Sequence, residues 1–229
     1  RPAVLGPGVV TAKLLFTGAA AADLKGLARE SGCTVAMTLL AGINALLYRY
    51  SGREDLLVSS VFSGRDRPEL GRLVGLFMNT VTLRTDLSGA PSFRALMLRV
   101  RGVVLEAYRH QDLPIATLLE KLFTVLPVSR TLLSRVLFNM LSFAAEAVEP
   151  VRGFAVTAFA TSEEQTKFDL AFTCREGPDF VHCTLSGAAD LFDAETLFQV
   201  RLDYERLLAH AVAGPDMPLD RLLALFVTR

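Results

Sequence analysis

The chain has 229 residues, 51% hydrophobic and 21% charged, which excludes an extended disordered segment and allows one large domain or two small ones. Lysine and arginine together number 24, as do aspartate and glutamate, and this balance argues against nucleic acid as the main partner. No apolar run reaches membrane-spanning length, and the opening RPAVLGPGVV lacks the apolar core and cleavage site of a signal peptide.

In chain order, Val9 to Phe16 predicts a strand. Thr17 is placed to cap a helix over Ala19 to Glu30 that closes near Gly32. Thr34 is placed to cap the next, Val35 to Tyr50, which is apolar almost all round, hence buried, and stops near Gly52. A strand over Asp55 to Phe62 follows, then the turn SGRDRPEL. Val74 to Leu87, VGLFMNTVTLRTDL, reads as another strand. Alternation puts Phe77, Asn79, Val81 and Leu83 on one face and Leu76, Met78, Thr80, Thr82 and Arg84 on the other. An asparagine on the more apolar face needs every partner supplied. Asn79 is therefore either a satisfied core amide or a group looking into a cleft.

Pro91 begins a long amphipathic helix to about Arg109, HQDLP breaks it, and a short helix over Pro114 to Leu122 follows. Strands are predicted over Val136 to Phe143, Phe154 to Phe159, Phe168 to Cys174 and Phe180 to Ser186, with AAEAVEPVRG as the loop among them. Asp193 is placed to cap a helix over Ala194 to Val212, and MPLDRLLALF makes a last short helix. Strands and helices mixed throughout predict an α/β layered domain.

Sites of stand-alone chemistry are scarce. His110, His182 and His210 form no HxxxH or HExxH pattern, so no metal site is expected. His210 ends a helix, where a favourable C-terminal charge accounts for it. His182 and Cys183 are neighbours in a strand and face opposite sides, so they cannot form a dyad. His110 fits a cap and turn at least as well as catalysis; Asp112 can cap the following helix and Pro114 suits its first turn. GxSxG, P-loop and GxGxxG patterns are absent. Cys33, Cys174 and Cys183, odd in number and without metal-ligand spacing, suit a reducing cytoplasm. Basic residues are nearly all arginine, which with abundant Ala, Leu and Gly suits a GC-rich bacterial genome.

Three stretches carry a family resemblance. VGLFMNT resembles the fifth core motif, GxFVNT, of nonribosomal peptide synthetase condensation domains; HQDLP resembles the sixth, HQDxPFE; SRTLLSRVLFNMLSF resembles the seventh, SRxPLFQVMF, in register and in the family's order. RYSGREDLLV, SGRDRPEL, KFDLAF and ADLFDAETL read like the intervening segments. The chain departs from the family at Met78 for valine, Ile115 and Ala116 for Phe-Glu, Leu132 for proline, and Ser134 and Arg135 for Phe-Gln. The seventh-motif changes remove an aromatic and add a charge, which alters local packing.

The resemblance implies a chloramphenicol-acetyltransferase-like layered fold, one subdomain of a V-shaped pair around a tunnel. The family's catalytic HHxxxDG belongs to the N-terminal half and no HH occurs here, so residues 1–229 are expected to be the C-terminal subdomain, inactive alone, with no catalytic residue of its own. Asn79, Arg65, Gly75 and Phe77 are expected at the tunnel or subdomain interface; His110, Gln111, Asp112, Pro114, Ser129 and Arg130 are expected to be structural motif positions. The implied reaction is amide formation between a carrier-bound acyl or peptidyl thioester and an aminoacyl acceptor. Its implied partners are the N-terminal half, upstream and downstream peptidyl carrier proteins and an adenylation domain. Phosphopantetheine arrives on the carriers and no cofactor is bound directly. The alternative is a non-catalytic condensation-like module that docks carriers or recruits enzymes; a free-standing coenzyme A acetyltransferase is the third reading, for which no histidine is well placed.

Overall fold

The computed structural model describes residues 5–125, 135–141 and 166–225. The expectations for Phe154 to Phe159, AAEAVEPVRG, Ser129 and Arg130 lie outside them. β1 (Val9–Thr17), α1 (Gly18–Glu30), α2 (Val35–Ser51), β2 (Asp55–Phe62) and a 3-10 turn (Pro68–Arg72) come first. β3 (Asn79–Asp86), α3 (Phe93–Arg109), α4 (Ile115–Val125), β4 (Val136–Leu141), β5 (Leu170–Gly177), β6 (Phe180–Ala188), α5 (Ala194–Ala213) and α6 (Leu219–Ala224) follow.

The strands form one sheet in the order β1-β6-β5-β4-β2-β3. β2, β4 and β5 are mutually parallel, and antiparallel pairs close both sides. Register and alternation sort the side chains into two faces. Leu14, Cys183, Phe172, Phe138, Val58 and Leu83 share the face that joins the buried residues of α1, α2, α3 and α5 in one core. The opposite face carries Lys13 and Leu15 of β1, both exposed, with His182 of β6 and Arg175 of β5 directly paired. Partial burial, then the positive charges of Lys13 and Arg175, push the His182 imidazole below its ordinary value.

α2 is the central helix, buried from Met37 to Leu46, as its all-round apolarity predicts. Thr34 caps it, its hydroxyl oxygen accepting from the Met37 amide. α5 crosses α2 at Gly42, where a Cβ would stand 2.8 Å from Leu208 Cδ2 and 3.1 Å from Tyr204 Cε2. Glycine there allows the Tyr204 hydroxyl to donate to the Leu39 carbonyl at 2.9 Å and its ring to meet Phe172 edge-on at 5.3 Å. Asp193 caps α5 by accepting from Thr196 N at 2.7 Å.

Several boundaries differ from those predicted. α3 starts at Phe93, with Ser92 as its cap, because the Pro91 carbonyl is engaged by the Leu219 amide from α6. Thr17 precedes α1, but its side chain makes no capping bond. β5 begins at Leu170, after Thr166 forms a local turn with Phe168. α4 continues to Val125. The strand expected from Val74 begins only at Asn79: β2 ends at Phe62, paired with Asn79, and Gly64 then turns left-handed (φ 62°), removing the partner that residues 74–78 would need. Cys174 and Cys183 face one another across the β5–β6 hairpin as a buried disulfide with Cα atoms 4.1 Å apart, a pairing invisible until the hairpin sets the register; Cys33 is free.

Candidate functional site

The motif residues gather at the end of the sheet where β2 finishes and β3 starts. Asn79, the first residue of β3, sits on the helix-facing side, and there the chain leaving α3 passes over it. Its Nδ2 donates to the carbonyls of Gln111 and Leu113, both at 2.7 Å. Its Oδ1 accepts from the Ile115 amide at 3.3 Å. All three partners are backbone groups of HQDLP or of the residue after it. The acceptor at the start of α4 expected from Asp112 is thus supplied by Asn79, far back in the chain. The amide is satisfied, and what it holds is the loop.

Arg65, Gly75 and Phe77 form a second cluster beside it. The Arg65 guanidinium donates to the Leu70 carbonyl and, at 3.2 Å, to the Gly75 carbonyl, and it lies 4.5 Å above the Phe77 ring. A Cβ on Gly64 would overlap the Phe77 carbonyl oxygen, so glycine is needed there for contact as well as for its backbone angle. The clasp lifts the intervening apolar residues outward: Val74 is 104% exposed and Leu76 84%.

His110 closes α3, exposed, with Nε2 3.1 Å from Glu106 Oε1. Hydrogen bonds from Arg109 and then His110 hold the Glu106 carboxyl below its ordinary value. The ion pair of this helix end is Arg109 with Glu106, at 2.9 Å. Gln111 is buried, and Pro114 begins the first turn of α4 by accepting from Leu118 N. Among the described residues no group of three or more His, Cys, Asp or Glu is gathered as a metal would require, and no single helix is long and apolar enough to cross a membrane.

A cavity of about 260 Å³ lies behind these clusters, between the sheet, the first turns of α2 and the last turns of α3. Phe62 and Tyr108, stacked at 4.2 Å, form one wall. Sequence reasoning passed over its other residues, among them Ser60, Met140 and Glu176, because each reads as ordinary strand material and only the parallel pairing of β2, β4 and β5 brings them to one end.

An open mixed sheet with α1, α2, α3 and α5 packed on one face and an asparagine pinning the loop after α3 defines a layered α/β domain. The chain belongs to the condensation domain family, whose model matches residues 10–226. It is 37% identical over 224 residues to a linear gramicidin synthase polypeptide of Brevibacillus parabrevis, covering 97% of this chain and 3% of that one. Among solved structures it is similar to the X-domain in the complex of the X-domain and OxyB from teicoplanin biosynthesis (TM-score 0.86, 27% identity, 97% of this chain and 49% of that one). It also shares the fold of the first condensation domain of the CDA synthetase (TM-score 0.75, 19% identity, 93% and 47%). The chain therefore spans about half of these structures and a small fraction of the synthetase.

Proposed function

We propose that this chain is the C-terminal half of an amide-forming condensation domain in a nonribosomal peptide synthetase, with a chloramphenicol-acetyltransferase-like fold. The observation that carries the reading is that the family match runs along nearly the whole chain while the chain covers only about half of the X-domain and of the first condensation domain of the CDA synthetase. The missing half would bring the HHxxxDG histidine. Carrier proteins on either side would deliver thioesters on phosphopantetheine, with an adenylation domain loading the acceptor and the whole working in the cytoplasm. The Cys174–Cys183 disulfide runs against the reducing compartment expected from the cysteine count, since disulfides are rare there, and its burial is what would shield it from exchange with cytoplasmic thiols. The thioester is already activated, so the protein's task is chiefly to bring amine and carbonyl together. Asn79 serves that task by fixing HQDLP, and Arg65 by fixing the segment at residues 70–77.

The test is reconstitution. This chain, mixed with a loaded donor carrier and an aminoacyl acceptor carrier, forms no dipeptide above the carrier-only control by mass spectrometry; with its N-terminal half added, it does. Dipeptide from this chain alone overturns the reading. A second prediction concerns the outward apolar residues, which are placed to pack on the other half. Val74→Asp with Leu76→Asp leaves the melting temperature within about 1 °C, because exposed sites contribute little to stability, yet abolishes co-purification with the N-terminal half. Unchanged co-purification would place the interface elsewhere.

The likeness to an X-domain solved with OxyB favours a second reading, a condensation-like module that recruits a partner enzyme. The parent gene separates the two: an intact HHxxxDG upstream supports catalysis, and a ruined one supports recruitment.

A further inference from the structure

We infer that Cys174 and Cys183 are a reversible redox modification site, a lock on the β5–β6 hairpin that is made and broken only while the hairpin is open. The two residues stand directly opposite each other in the antiparallel register, on the helix-facing side of the sheet, and neither has exposed surface. Their row runs Leu14, Cys183, Cys174, Met140 across four strands. Phe172, Val181 and Leu185, also without exposed surface, flank them along β5 and β6.

This apolar setting holds the pair in either state. As thiols, the cysteines are small apolar core residues that ask little of their neighbours. As a disulfide, they cross-link the hairpin and restrict the unfolded chain across a separation of 9 residues. The fold is therefore the same in both states and its stability is not. The state is set by exchange with a low-molecular-weight disulfide such as oxidised glutathione. One cysteine thiolate attacks it and expels a glutathione thiolate; the second attacks the mixed disulfide and expels the other. Two thiol protons pass to solvent and two electrons to the two glutathiones. A close-packed core has no room for the mixed disulfide, so the strands must part first. Lys25 of α1 governs that parting: its ammonium donates to the carbonyls of Gly177 and, at 2.8 Å, Pro178, and so ties down the turn of the hairpin.

The experiment uses the 229-residue chain with Cys33→Ser, which keeps the one free thiol out of exchange, and needs neither a carrier nor a second half. Starting from the dithiol, oxidised glutathione lowers the mass by about 2 Da, the two hydrogens lost, and raises the melting temperature by roughly 4–10 °C. With Cys174→Ala added, neither change occurs. Reduction of the cross-linked chain by dithiothreitol is at least about 100-fold slower in buffer than in unfolding urea. Lys25→Ala speeds it about threefold or more in buffer and leaves the rate in urea unchanged. No loss of mass, equal melting temperatures in the two states, reduction as fast in buffer as in urea, or a rate in buffer indifferent to Lys25→Ala each overturns the inference. These readouts decide it even if Cys174→Ala fails to fold.

Discussion

Asn79→Ala lowers the stability of this chain by about 2–3 kcal/mol, because one truncation leaves the part-buried Gln111 carbonyl and Ile115 amide without partners and loses a third, exposed bond to Leu113. For a chain of this size that is a fall in melting temperature of roughly 4–12 °C. The HQDLP loop loosens with it, so condensation by the reconstituted domain slows and recovers partly on cooling. Asn79→Asp separates packing from hydrogen bonding. It keeps the volume but turns an oxygen toward the Gln111 and Leu113 carbonyls, where the Nδ2 donor had been. Those carbonyls disfavour the charged form and raise the carboxyl's folded pKa above its unfolded value of about 3.9. Stability is then greatest below the unfolded pKa and is lost as pH rises through the folded one. Asn79→Asp should therefore approach the parent at about pH 4 and fall below it at about pH 7. A melting temperature unmoved by Asn79→Ala, with condensation slowed, would mean that Asn79 acts on substrate and not on the loop.

Tyr204→Ala destabilises more, by about 3–5 kcal/mol, from an aromatic side chain with no exposed surface and a second ring packed on its edge. Against a total of about 5–15 kcal/mol for a domain, that leaves a large unfolded fraction on mild heating. Tyr204→Phe keeps the ring and loses only the bond to Leu39, about 1 kcal/mol. Burial alone pushes the Tyr204 phenol far above its ordinary value, so ionisation takes no part below strongly alkaline pH. Urea midpoints should rank parent, Tyr204→Phe, Tyr204→Ala. An alanine variant within about 1 kcal/mol of the parent would show that α5 is held to α2 by other contacts, with the Gly42 crossing sufficient without the ring.

Local chemistry made much of the fold legible in the sequence. β2 spans Asp55–Phe62 as predicted, because a short apolar run between polar turns leaves little choice. α2 and α5 start behind the caps expected of Thr34 and Asp193, since a cap bond closes within three residues. The three motifs likewise stand on contiguous residues, and the family follows from them. Everything that depends on pairing distant segments was decided only in the tertiary structure. Alternation carried the expected strand back to Val74, but a strand exists only where a partner does, and left-handed Gly64 removes it at Asn79. That Asn79 belongs to the helix face was readable from its period; that it bonds Gln111, Leu113 and Ile115 was not, because a side chain's partners across more than thirty residues follow from chain packing and not from spacing. The Cys174–Cys183 pair and the cavity at the ends of β2, β4 and β5 arose in the same way: sheet register brings together residues that sequence keeps apart.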